Sequence, residues 1–183
     1  MISISANLHL ENITINNQNS LMDLMRKIYP PAYKHLWVNE DCNWYLNHCF
    51  SEENLKNELS EANAIYCFVI HNLKRVGIVR YLYNTSTNEV VKKNATFIHR
   101  IYLSNEVQGK GIAKQLFSWI EKQAIQKQDK FLWLKAMDTQ LQALKFYEKQ
   151  GFKTIDKISL DFNLIHQHLR GMVVMTKALN NKI

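Results

Sequence analysis

Proline and glycine are scarce in this chain: two prolines, adjacent at Pro30 and Pro31, and five glycines in 183 residues. That excludes a Pro/Gly-rich linker and a collagen-like period, and the sequence holds no internal repeat or low-complexity segment. Cysteine is limited to Cys42, Cys49 and Cys67. An odd count without a Cys-x-x-Cys pair is a poor disulfide framework and a poor zinc site, and a reducing cytoplasm is the simplest reading. Long apolar runs are also missing. The longest, residues 64–70, is strand-sized, far short of the ~20 residues of a membrane span. The opening Met-Ile-Ser-Ile-Ser has no basic or apolar leader region, so no signal peptide is expected.

What is present fits one domain over residues 1–183: 46% of the chain is apolar and 21% charged, enough to build a core and too little charge for a disordered chain. The net charge of +7 is uneven. Residues 36–63 carry six acids and Lys56, a net of −5 against +12 elsewhere. Two differently charged faces are one reading, and ordinary solvated helix faces are the other. A nucleic-acid partner is not expected, because no basic run or recognised motif accompanies the charge.

Leu21, Leu24, Met25 and Ile28 fall at helical spacing, predicting a helix from about residue 20 to 29 that the two prolines end. A strand is expected over 8–15 before it, and short helices over 37–50 and 51–60 after it, the second capped by Ser51. Strands are predicted at 64–71, 76–83 and 95–103, with a polar, exposed stretch at 84–94. A helix from Gly109 to about Gln128 carries the stripe Ile112, Leu116, Ile120 and Ala124, broadened by Ala113 and Phe117. A strand at 131–136, a helix at 140–150 stopped by Gly151, and strands near 153–160 and 172–178 complete the order. The sum is an α/β fold, a mixed sheet with helices on both sides.

Two of the five glycines lie within Gln108-Gly109-Lys110-Gly111-Ile112-Ala113, between a strand and the long helix. Such a junction presents unpaired N–H groups and a positive helix end to a phosphate or pyrophosphate. The P-loop spacing is absent, and Lys114 stands where a dinucleotide fingerprint needs its third glycine. A tight turn with no ligand is the alternative.

In this context the sequence resembles the GNAT superfamily of N-acetyltransferases. Gln108, Gly111 and Ala113 match each fixed position of its Arg/Gln-x-x-Gly-x-Gly/Ala motif, and the segment His99-Arg-Ile-Tyr-Leu103 is similar to the strand preceding it. Gln140-Leu-Gln-Ala143-Leu-Lys-Phe146-Tyr147-Glu-Lys-Gln-Gly151-Phe152 resembles Asn-x-x-Ala-x-x-Phe-Tyr-x-x-x-Gly-Phe. The likeness runs from about residue 8 to 179 and is strongest over 98–152, with the core motifs in 95–152. The helical N-terminal third is similar to the bacterial polyamine-acetyltransferase branch. The resemblance implies a mixed, mostly antiparallel sheet of about six or seven strands flanked by helices on both faces.

It also implies acetyl-CoA as the acetyl donor and direct attack on the thioester by a primary amine: a polyamine, another small amine, or a lysine or N-terminal amine. The backbone at Ile101, Tyr102 and Leu103 is then expected to face pantetheine, and the N–H groups across Gln108, Gly109, Lys110, Gly111, Ile112 and Ala113 the pyrophosphate. Lys110 and Lys114 either meet further phosphate charge or are ordinary exposed lysines. Gln140 stands where the family has Asn, one methylene longer. Tyr147 matches the family's general acid, and shares a helix face with Gln140, Ala143 and Leu144. The alternative for Tyr147 is a core ring with a backbone partner.

Carboxylates that other members carry on the strand are missing, with Phe97 and His99 in their places. A neutral imidazole can act as base, and a water relay or a merely packed His99 competes with that role. Tyr33, Trp37, Glu40 and Asp41 are expected to bind the cationic acceptor through charge and cation–π contact, and Trp44 to close the core. His166 and His168 lack a third ligand, so no metal is expected. Arg100 alternates with His99 and reads as structural. Many members of the superfamily dimerise, which allows a homodimer here. The second reading of function is a non-catalytic acyl-CoA-binding regulatory module.

Overall fold

The computed structural model describes residues 1–86 and 94–179. It is an α/β fold with an eight-stranded mixed sheet, in the order β1-β2-β3-β4-β5-β6-β8-β7. The strands are β1 (Ile2–Ser5), β2 (Leu8–Asn12), β3 (Ala64–His71), β4 (Lys74–Leu82), β5 (Ala95–Leu103), β6 (Phe131–Met137), β7 (Lys153–Ser159) and β8 (Gly171–Ala178). The helices are α1 (Gln18–Ile28), α2 (Pro30–Tyr33), α3 (Asn43–Cys49), α4 (Glu52–Ser60), α5 (Ile112–Gln126) and α6 (Leu141–Lys149). The six or seven strands expected are therefore eight. The added strand is β1, four residues too short to show a pattern, paired antiparallel with β2.

The chain divides into two compact units, residues 1–80 with 100–115, and 81–99 with 116–183. In the first unit β1, β2 and β3 pair antiparallel. The β3–β4 connection is two residues, Asn72 and Leu73, both at positive φ (48° and 63°), as a tight hairpin turn requires. Leu8, Leu10, Leu21, Met25, Leu46, Phe50, Leu55 and Phe68 are buried here. Pro30 ends α1 and opens α2 at its first position, where a missing N–H costs nothing. Ser51 caps α4, its Oγ accepting from the Asn54 amide at 3.1 Å. The helix expected over 37–50 begins only at Asn43, because Asn39 and Glu40 adopt positive φ (57° and 53°) and break it.

In the second unit β5 and β6 run parallel, from Ala95 opposite Phe131 to Ile98 opposite Leu134; the last residues of β5, 100–103, belong to the first unit. β8 pairs antiparallel with β6 and β7. Trp133 stacks on Phe97 at 4.0 Å over Ala95 and Val174. Asp129, buried, accepts from the Thr96 hydroxyl at 2.5 Å and from the Asn84 amide at 3.1 Å. The stretch expected to be exposed at 84–94 lies mostly outside the described residues, and Asn84 and Asn94 at its ends are exposed.

Gly77 on β4 marks a close backbone approach. A Cβ there would overlap the Tyr102 carbonyl oxygen and come within 2.8 Å of the Leu103 side chain. A Gly77→Ala variant is expected to lose about 1–3 kcal/mol of stability, read from its denaturant midpoint, because backbone must move to admit one methyl.

The three thiols are free. Burial raises all three pKa values and pushes Cys67 up to about 12. In the native protein Cys67 is expected to resist a thiol reagent at pH 8 and to react at once on unfolding, since the thiolate is the nucleophile.

Candidate active site

The turn after β5 is built by local hydrogen bonds. Ser104 accepts from the Glu106 amide at 3.3 Å, and the exposed Gln108 donates from Nε2 to Asn105 at 2.8 Å. Gly109 and Gly111 both have φ +74°, and a side chain added at either would meet nothing within 4 Å. Positive φ favours glycine, and the open space beside it leaves the backbone approachable. The first helical bond runs from the Gln115 amide to the Gly111 carbonyl at 3.1 Å. Within the turn the Gln108 amide donates to the Asn105 carbonyl at 3.1 Å and the Lys110 amide to the Val107 carbonyl at 3.3 Å. The amides that open the 15-residue α5, from Gly111 to Lys114, have no acceptor within the helix and sit at its positive end. Ile112 anchors this end in the core, Ala113 is half-buried, and Lys110 and Lys114 are exposed beside the glycines.

On α6 the second motif takes physical form. Gln140 caps the helix, half-buried, and its carbonyl accepts from the Leu144 amide at 3.0 Å. Gly151, at φ +91°, ends it. Phe146 and Phe152 close edge-on around Phe117 at 5.3 and 5.7 Å, and the half-buried Tyr147 lies 5.7 Å from Phe117 and 6.2 Å from Phe152. The spacing Phe-Tyr-x-x-x-Gly-Phe therefore fixes the Tyr147 ring in an aromatic wall. His99 is half-buried and stacks on Phe97 at 5.4 Å.

Ile101, Tyr102 and Leu103 are half-buried at the end of β5. The side chains expected to bind the acceptor divide. Tyr33 stacks on Tyr29 at 4.7 Å and meets Tyr102 edge-on at 5.6 Å. Trp37 is only 2% exposed and packs against Tyr45. Glu40 and Asp41 are exposed instead, Glu40 paired with Lys34 at 2.6 Å and Asp41 accepting from the Asn43 amide at 2.9 Å. Trp44, expected to close the core, is 44% exposed and stacks on His48, so the two tryptophans exchange the environments expected of them.

The sequence reading missed a tyrosine cluster of Tyr29, Tyr33, Tyr45 and Tyr102. Tyr45 stacks on Tyr29 at 4.7 Å, and its hydroxyl lies 2.8 Å from that of Tyr102. Burial raises the pKa of all four phenols, so they are neutral at physiological pH. Beneath it Arg100 donates from Nη1 to both carboxylate oxygens of Glu58, at 2.7 and 2.8 Å. Period-two alternation placed Arg100 opposite His99, but nothing local pointed to a partner 42 residues away. No group of three or more His, Cys, Asp or Glu side chains suited to a metal occurs among the described residues.

A strand, a glycine turn and a helix with open N-terminal amides, followed by a strand and a tyrosine-bearing helix, make up the central part of this α/β fold. The chain matches the acetyltransferase (GNAT) family over residues 19–152, and it belongs to that family. An uncharacterized N-acetyltransferase from Lactobacillus delbrueckii subsp. lactis is 28% identical over 112 residues, 61% of this chain and 65% of that protein, so the match spans just under two thirds of the relative's length. Among solved structures, the PaiA N-acetyltransferase from Thermoplasma acidophilum in complex with coenzyme A superposes with a TM-score of 0.71 at 19% identity, covering 93% of this chain and 98% of that one. A spermidine N-acetyltransferase mutant from Vibrio cholerae gives 0.67 at 14% identity, over 96% and 95%. An acetyltransferase from Salmonella typhimurium that modifies the N-terminal serine of a ribosomal protein gives 0.72 at 13%, over 98% and 99%. No helix of the described residues is long and apolar enough to cross a membrane.

Proposed function

We propose that the protein transfers the acetyl group of acetyl-CoA to a primary amine, in a ternary complex and without a metal. The observation that carries this reading is the turn at Gly109 and Gly111, whose open left-handed backbone precedes the unbonded amides of α5 in a chain of this family. In this reading the amides of Gly109, Gly111, Ile112 and Ala113 hold the pyrophosphate, as helix N-termini hold phosphate groups generally; those of Gln108 and Lys110, expected to join them, are bonded to the Asn105 and Val107 carbonyls and shape the turn instead. Lys110 and Lys114 add positive charge. The backbone of Ile101, Tyr102 and Leu103 takes the pantetheine arm as a sheet edge takes an added strand. The side-chain amide of Gln140 assists.

The chemistry needs a neutral amine nitrogen. Its lone pair attacks the thioester carbonyl carbon, a backbone N–H near Leu103 polarises the carbonyl oxygen, and the C–S bond breaks as the tetrahedral species collapses. Tyr147 donates its phenolic proton to the departing thiolate, and His99, directly or through water, takes the proton released by nitrogen. Proton loss from the amine and proton gain by sulfur balance.

The acceptor is bound on the side of the helical N-terminal third, where the Tyr33 ring is half-buried and Glu40 and Asp41 lie on the surface; Trp37, expected to join them, is buried against Tyr45 and closed to it. Spermidine and an N-terminal serine, the acceptors of two similar proteins, define the range to test. Free-thiol release from acetyl-CoA is to be followed with spermidine, spermine, amino acids, lysine peptides and a serine-initiated peptide. The proposal expects turnover with one class and none without amine. Binding of CoA with no turnover across the panel would favour the regulatory-module reading instead.

A further inference from the structure

The end of β5 carries two sets of side chains. Ile101 and Leu103 belong to one, and Arg100 and Tyr102, by strand alternation, to the other. The second set is tied to helices that are distant in sequence. Arg100 Nη1 donates to both Glu58 carboxylate oxygens on α4, with its guanidinium 5.5 Å over the Phe50 ring. The Tyr102 hydroxyl pairs with that of Tyr45 on α3 at 2.8 Å, and its ring meets Tyr29 and Tyr33 edge-on at 5.5 and 5.6 Å. From the sheet side, the Ser104 amide donates to the Val76 carbonyl at 2.7 Å, and Gly77 lets β4 lie against the Tyr102 carbonyl.

Packing alone does not require these polar groups. Apolar side chains of the same volume can replace a buried ion pair without loss of stability, and phenylalanine would fill the Tyr102 ring contacts. Paired polar groups instead specify one geometry. We infer that Tyr102 and Arg100 are positioning residues: the Tyr45–Tyr102 hydroxyl pair and the Glu58–Arg100 ion pair hold the end of β5 in the register at which the Ile101 and Leu103 backbone receives the pantetheine arm. The inference rests on the acetyl-CoA reading above. A pre-set strand edge spares the ligand the cost of ordering it, so the locks act on acetyl-CoA affinity and not on the amine.

The test uses the full chain with Tyr102→Phe, Tyr45→Phe and both together. CoA affinity is read by titration calorimetry, KM for acetyl-CoA and for the amine from steady-state rates, and folding from the thermal midpoint. Each single variant is expected to bind CoA roughly three- to tenfold more weakly, the range for one hydrogen bond, with amine KM unchanged. The double variant is expected to match the singles, because all three remove the same bond. Where Tyr102→Phe does not fold, Tyr45→Phe carries the comparison. CoA affinity within twofold of wild type in the folded single variants would overturn the inference, and so would losses that add in the double variant. A rise confined to amine KM would overturn it too, by assigning the cluster to the acceptor. Wild type that binds no CoA would fail the acetyl-CoA reading itself, a different outcome from variants that bind as wild type does.

Discussion

Gly111→Asp is expected to weaken CoA binding at least ~100-fold while the fold survives. Gly111 has φ +74°, where an L side chain is strained by roughly 1–2 kcal/mol. The space beside it is open, so no protein atom is displaced. A carboxylate at the N-terminal end of α5 also interacts well with the helix dipole, which offsets part of the strain in the free protein. If the turn holds the pyrophosphate as proposed, that same carboxylate faces it in the complex, with repulsion between like charges. The thermal midpoint is therefore expected to move by a few degrees, and calorimetry to lose the CoA signal. Gly111→Ala adds the strain without the charge and should lose far less. Equal losses in both variants would mean that the turn matters as backbone shape and not as an anion site.

Tyr147→Phe is expected to lower kcat about 100-fold with CoA affinity within twofold of wild type. The ring contacts with Phe117, Phe146 and Phe152 do not involve the hydroxyl, so the substitution retains the aromatic wall. In the proposed mechanism it removes the proton for the departing thiolate, and a positioned general acid contributes about 10²–10⁴ in rate. The loss should shrink with an acetyl donor whose thiol is more acidic, because that leaving group departs as the anion without help. A variant with wild-type kcat would leave the enzyme assignment standing and remove Tyr147 from its chemistry.

The parts of this protein legible in its sequence are those whose cause is local. Gly109, Gly111 and Gly151 punctuate the chain because their φ values demand glycine, and α5 declares itself because Leu116, Ile120 and Ala124 are fully buried at helical spacing. Ser51 before two glutamates announces α4. The N-terminal third reads less well. Asn39 and Glu40 adopt left-handed conformations; asparagine favours that region but glutamate does not, so the run of two is not marked in the sequence, and α3 starts only at Asn43. Trp37, before that break, is buried, and Trp44, on α3, is exposed. The tyrosine cluster unites residues of α2, α3 and β5, together with Tyr29 between α1 and α2, and the Arg100–Glu58 pair spans 42 residues. Such contacts are set by how the helices pack on the strand, and a linear pattern carries no record of them.

Acetyl transfer to an amine is tested most directly by weighing the products. The protein is incubated with acetyl-CoA and each amine of the panel, and the mixture is read by mass spectrometry beside a thiol count. One amine class is expected to be heavier by a single acetyl group, in amounts equal to the thiol released, with neither signal from Gly111→Asp. Thiol release without an acetylated amine would contradict that expectation, as would an acetylated amine formed at the same rate by Gly111→Asp.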